Sequence, residues 1–193
     1  MTKISWAVCT HNEGQCIGKL LHQICSIVGE LDEIIVLDDQ STDRWTLDIL
    51  DAYKTRQNIE IHNHPLNNDF AEHKNYLNQL CTGEYVFQLD ADELLSEVLL
   101  ANIHPIIEQN PTIDLFWIPR VNEVTGLTPE DIQRWRWKVD ALNRVQWPDY
   151  QGRLHRRSPN IKWVGKGHER IQGHTTETFL PAQEDLAILH YKD

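Results

Sequence analysis

The sequence predicts an α/β domain whose centre is a mostly parallel sheet flanked by helices, followed by a smaller mixed region. Three observations carry this. Strand-like runs begin near Ile4, Glu33, Ile59 and Tyr85, so they recur every 26 to 29 residues through the first half. Apolar residues between those runs fall at helical spacing. The run "EIIVLDD" is apolar almost throughout, as a strand buried on both faces is. Strands alternating with helices at this spacing pair in parallel through right-handed crossovers.

Taken in order, "ISWAVCT" (Ile4–Thr10) is a first short strand. In Cys16–Val28, Ile17, Leu20, Leu21, Ile24 and Val28 share one helical face. "EIIVLDD" is the second strand. "TDRWTLDILDAYK" reads as a helix with Leu47, Leu50 and Tyr53 on one face, "IEIHNH" as a third strand and Phe70–Cys81 as a third helix. "YVFQLD" is the fourth strand. The rhythm then breaks. Leu95–Gln109 reads as a helix and "DLFWIPRVNEV" as a strand. "TPEDIQRWRWKV" starts a helix, with Thr128 as N-cap, Pro129 in the first position and acids in the first turn. "RLHRR", "IKWVG", "HERIQG" and "LAILHY" are short strand-like pieces. We read residues 1–193 as one domain, with an α/β half to residue 93 and a mixed half from 94 to 193.

Composition narrows the function. The chain has 193 residues, 29 Asp and Glu against 18 Lys and Arg, and a net charge of −11. That argues against a nucleic-acid partner, whose binding rests on phosphate neutralisation. An anionic ligand stays open, because a bound divalent cation reverses the local sign. Cys9, Cys16, Cys25 and Cys81 form no C-x-x-C pair and are expected to be buried free thiols in a reducing, cytoplasmic setting. No run of 18 or more apolar residues and no export signal is evident, so membrane contact would be peripheral.

The strand ends carry the chemistry. In open parallel sheets, ligands bind at the carboxyl ends of the strands. Those ends read Thr10-His11-Asn12-Glu13, Asp38-Asp39-Gln40-Ser41, Asn67-Asn68-Asp69 and Asp90-Ala91-Asp92. In an extended segment Asp90 and Asp92 point the same way. Two such carboxylates share a hard cation, Mn²⁺ or Mg²⁺, that leaves positions open for substrate phosphates. The competing reading places these acids in the first turn of the following helix.

The stretches "ISWAVCTHNE", "EIIVLDDQSTD", "DFAEHKNYLNQLCTGEYVFQLDADE" and "PDYQGRLHRR…WVGKGHE" together resemble family 2 glycosyltransferases of the GT-A, Rossmann-like fold. The likeness is to small bacterial and phage-type members related to lipopolysaccharide-core enzymes. It implies a metal-dependent, inverting transferase that moves sugar from a nucleotide-diphosphate donor, uridine by default, to a glycan or lipid-linked acceptor. By the same resemblance, Thr10, Asn12 and Glu13 line the base and ribose pocket. Asp39 binds the nucleoside and Lys74 faces the nucleotide or its phosphates. Asp90 approaches the ribose or the metal's water, Asp92 ligates the metal, and His168 completes its shell. Inversion calls for a base in the acceptor half, either Glu169 or Asp149. A nucleotidyltransferase and a non-catalytic binding module are the alternatives; the first would want a basic, Gly-rich loop after the first strand, which "THNEGQC" lacks.

Other residues read two ways. Arg153, Arg156 and Arg157 form either a solvated strand face or an anion clamp. His62 and His64 share a strand face without making a site. Trp6 and Trp117 belong to the core, while Trp135, Trp137, Trp147 and Trp163 are candidates for stacking on sugar.

Overall fold

The computed structural model describes residues 2–192. Strands β1 (Ile4–Thr10), β2 (Glu33–Asp38), β3 (Ile59–Asn63) and β4 (Tyr85–Asp90) alternate with helices α1 (Ile17–Cys25), α2 (Arg44–Tyr53) and α3 (Phe70–Leu80). Then come β5 (Glu93–Leu95), α4 (Glu97–Gln109), β6 (Leu115–Val124), α5 (Pro129–Trp135), β7 (Asp149–Arg156), β8 (Lys162–Val164), β9 (Arg170–Gln172), β10 (Glu177–Phe179) and β11 (Ile188–Lys192). One sheet runs β3-β2-β1-β4-β7-β6-β11-β5, with β10 pairing onto the start of β6. The first four strands are parallel. β7 is antiparallel to both β4 and β6, and β11 runs parallel to β6. The carboxyl ends of β4 and β6 therefore lie at the same sheet edge.

Strand alternation sorts the core into two layers. Trp6 and Val8 face α1, α2 and α4, where Leu20, Ile24, Leu50 and Ile103 are buried. Trp6 stacks on Phe87 with ring centroids 5.2 Å apart. Ala7, Ile35 and Val86 face the other way, onto Leu77 of α3. Each such large side chain contributes roughly 1.5–3 kcal/mol over leaving it exposed. Polar caps start the helices. Asp43, Asp69 and Ser96 accept from Thr46, Glu72 and Leu99 backbone N–H groups, and Thr128 forms a capping box with Asp131.

Several expectations change. Helix α4 starts at Glu97, after its Ser96 cap, so Asp90-Ala91-Asp92 is not a helix first turn. It forms a turn between β4 and β5, and β5 and β10 had no readable signal at three residues each. Helix α5 stops at Trp135 because Arg136 turns left-handed, at φ 54°. The arginines do not cluster: Arg153 is buried, Arg156 sits over the Tyr85 ring, and Arg157 donates to the Gly83 carbonyl. Trp163 is core, and Trp117 is half-buried against Phe179. All four cysteines are free, though only Cys81 is fully buried.

Candidate active site

A cleft of about 200 Å³ opens at the carboxyl ends of β1, β2 and β4. Thr10, Glu13, Asp39, Lys74, Asp90 and Asp92 all line it. Local chemistry sets its walls. Asn12 adopts a positive φ of 54°, and its side-chain oxygen accepts from the Thr42 and Asp43 backbones, stapling the loop after β1 to the start of α2. Gly14 allows that approach, since a Cβ there would lie 2.7 Å from Trp45. Asp38 is buried and binds Ser41 and Asn63, which leaves its neighbour Asp39 to face the cleft. Asp39 also accepts from the Leu66 N–H at 2.7 Å, fixing the loop that enters α3.

The carboxylates of β4 and β5 are held by an alternating chain of charges. Glu169 meets Lys74 Nζ at 2.7 Å, and Lys74 lies 3.5 Å from Asp90. Asp90 meets Arg153 at 2.5 Å, Arg153 meets Glu93 at 2.6 Å, Glu93 meets Arg120 at 2.9 Å, and Arg120 meets Asp149 at 2.7 Å. Glu93 is fully buried and Arg153 is 3% exposed. Burial alone would push the Asp90 carboxyl up. Arg153 and Lys74 outweigh it and hold Asp90 well below the usual range. Glu169 and Asp149 are likewise held low against burial, by Lys74 and Arg120 respectively. Glu13 goes the other way, raised by burial and then by the Asp92 and Asp43 carboxylates.

Asp92 has a different partner. Its carboxylate lies 3.0 Å from His190 Nε2, and His190 Nδ1 is 2.7 Å from Asn122 Oδ1. The Asn122 amide donates to Asp149 and to the Val145 carbonyl, which fixes its oxygen toward the histidine. Nδ1–H therefore donates to Asn122. Nε2 meets the Asp92 carboxylate, which can only accept, so with no cation between them Nε2–H is the donor there. A carboxylate oxygen and an imidazole nitrogen at 3.0 Å match neighbouring ligands of one ion at roughly 2.1 Å. Among the described residues no group of three or more His, Cys, Asp and Glu is arranged to hold a metal. Such a pair would leave the remaining positions to water and substrate oxygens, and its imidazole nitrogen suits Mn²⁺ better than the oxygen-preferring Mg²⁺.

Residues 5–166 match the family described as glycosyl transferase family 2. The chain belongs to that family. It is 31% identical over 169 residues to the SPbeta prophage-derived glycosyltransferase SunS of Bacillus subtilis (strain 168), a match covering 86% of this chain and 34% of SunS. It is 32% identical over 106 residues to the uncharacterized glycosyltransferase RP128 of Rickettsia prowazekii (strain Madrid E), covering 55% of this chain and 33% of that protein. The chain thus spans about a third of these relatives' length. The structure of S. aureus TarS 1-349 with UDP-GlcNAc superposes with a TM-score of 0.68 at 19% identity, covering all of this chain and 59% of that one. A second structure of S. aureus TarS 1-349 gives 0.64 at 18%. These two show the GT-A-like α/β fold.

Within this family 2 chain, the structure gathers Thr10, Glu13, Asp39, Lys74, Asp90 and Asp92 around one cleft. Asn12 lies just outside, in the neighbouring cleft with Glu13, Trp45 and Asp92. Asp90 and Asp92 both line the cleft but take different partners, Arg153 and His190, with a turn at Ala91–Asp92 in place of the extended segment. His168 is exposed on the loop between β8 and β9. Glu169 sits behind Lys74, and Asp149 lies at the far end of the charge chain. Sequence reading missed His190, Arg120 and Glu93. Only His190 carried a signal: a lone histidine inside the apolar "LAILHY". His62 and His64 pair with Glu60 and Glu72, away from the cleft lining.

Proposed function

We propose that this protein transfers a sugar from a nucleoside-diphosphate donor, with uridine as its base, to a glycan or lipid-linked acceptor with inversion, using Mn²⁺ or Mg²⁺. The observation that carries this reading is the convergence of Asp39, Lys74, Asp90 and Asp92 on one cleft at the strand ends. Family membership and the likeness to TarS, whose structures were solved with UDP and UDP-GlcNAc, support the donor class. The free cysteines fit a reducing cytoplasm.

In this reading Asp39 takes the nucleoside and Lys74 the diphosphate. Asp92 and His190, rather than His168, hold the cation. Asp90 is committed to Arg153 and Lys74, so it orients rather than ligates. The cation would supply positive charge against the leaving diphosphate. Glu169 is the base we favour. Its tie to Lys74 is contested, because a diphosphate in the cleft competes for the same ammonium and frees the carboxylate to accept the acceptor hydroxyl's proton. Asp149 is bound by Arg120, Asn122 and Gln151 together and has less freedom.

Calorimetry of UDP binding with and without Mn²⁺ tests the reading. Asp92→Asn keeps the size and removes the charge. It should abolish the Mn²⁺-dependent part of UDP affinity while the thermal midpoint stays near that of the parent. Unchanged Mn²⁺ dependence would remove Asp92 from the metal.

A further inference from the structure

Between β6 and β7 the chain makes an excursion that the donor site does not use. Helix α5 buries none of its residues. It runs into Arg134-Trp135-Arg136-Trp137-Lys138, three cations and no anion within five residues of a chain whose net charge is −11. Trp135 is 56% exposed and stacks on Trp137 with centroids 6.2 Å apart. The following turn presents Leu142, 65% exposed. Exposed aromatic and aliphatic side chains are unfavourable in water unless something covers them.

The local acids offset this patch only in part: Asp131 feels the Arg134 charge but forms no ion pair with it. Asp131 is engaged in the capping box at the other end of α5, beside Glu130, and Asp140 is bound by Arg144. Among the described residues, none of Arg134, Arg136 and Lys138 forms an ion pair. Arg136 also holds φ 54° at the helix end, a left-handed position that glycine adopts without strain. The chain keeps a cation where its backbone would favour glycine.

We propose that this segment docks the protein on an anionic membrane surface. Tryptophan, arginine and lysine with an exposed leucine are what the water–bilayer interface takes. Rings lie at headgroup depth, cations meet anionic lipid, and the aliphatic tip enters below. The exposed Leu142 that follows the rings favours a bilayer over nucleic acid, because an aliphatic tip gains by entering hydrocarbon and has no stacking partner among bases. Placement agrees, because the excursion leaves the end of β6 at the same sheet edge as Asp90. On the donor reading above, a lipid-linked saccharide in that membrane would face the cleft, but docking itself does not depend on that reading.

Flotation with phosphatidylcholine vesicles, with and without phosphatidylglycerol, tests the surface directly. The protein should float with the anionic vesicles and stay behind with the neutral ones. At roughly a factor of five per cation lost, R134E/R136E/K138E should lower partitioning by at least about a hundredfold, with the three added carboxylates lowering it further. W135A/W137A should lower it less and abolish quenching of tryptophan fluorescence by brominated lipid. Both variants should keep the parent thermal midpoint and UDP affinity, since the altered side chains are largely exposed and outside the cleft. No flotation with anionic vesicles, or flotation unchanged by the charge-reversal triple, would overturn the proposal. So would capture of a soluble anionic polysaccharide without any vesicle binding.

Discussion

In the parallel half, from β3 to β4, the side chains that shape the cleft find partners three residues on, as in Asp38 with Ser41, Asp43 with Thr46 and Asp69 with Glu72, or within 31 positions, as in Asp39 with Leu66 and Asn12 with Asp43. In the mixed half the partners are far away. Arg153 reaches Asp90 across 63 positions, Glu169 reaches Lys74 across 95, and His190 reaches Asp92 across 98. The first half supplies carboxylates at strand ends, and the second supplies most of the groups that hold them. A site divided this way has its ligand-facing atoms in one stretch of sequence and their orientation in another.

The largest expected effect breaks that division at its centre. Arg153→Met leaves Asp90 and Glu93 without their shared counter-ion, and removing one partner of a buried pair costs about 3–5 kcal/mol. The matching break in the parallel half, Asp43→Ala at the α2 cap, costs about 1 kcal/mol. Unfolding in urea measures both, and equal losses would dissolve the contrast.

Next comes the ion pair that joins the halves. Glu169→Gln should bind UDP normally yet transfer sugar at least about a hundredfold more slowly, the usual cost of losing a general base. Asp149→Asn should change rate little. Single-turnover transfer with a radiolabelled donor separates them, and the reverse pattern would hand the proton to Asp149.

The smallest effects are acid-dependent, and they come in sequence. Burial holds His155, in β7, down to about 4 from 6.5. Its neutral form is native, so its contribution is full above pH 6.5 and lost as pH falls through about 4. Glu33, in β2, is pushed up by burial but brought to about 2 from 4.5 by Lys3, Ser5 and Thr82. Its contribution is full above pH 4.5 and lost as pH falls toward 2. Each loss approaches about 3 kcal/mol only at the acid end of its window, and neither is felt at neutral pH. The mixed half should therefore weaken first as pH falls. His155→Phe should flatten the upper part of the stability–pH curve and Glu33→Gln the lower part; a single shared inflection would contradict this.

Much of this was readable in the sequence, for identifiable reasons. The first four strands, their helices and the caps rest on period and neighbouring residues. The cleft-facing carboxylates follow because they stand at strand ends. The strands of three residues had too few positions to show alternation. The chain of charges was invisible because Arg153 and Arg120 look like surface residues until β7 is placed between β4 and β6. Reading "RLHRR" as one basic face failed because its arginines go to three places: a buried carboxylate pair, an aromatic ring and a backbone carbonyl.

That interleaving of β7 has a consequence for synthesis on the ribosome. The chain emerges with β1 to β4 complete long before residue 149, yet Asp90 lacks its guanidinium, and Glu93 one of its two, until Arg153 appears. Strand β6 is made earlier still, but its seat beside β4 must be left for the later strand. The nascent parallel half thus waits with an unpaired edge and only part of the cationic partners of its acids, and closure of the sheet is a late, long-range step. Pausing translation just before β7 would prolong a sticky intermediate, whereas pausing just after it would not.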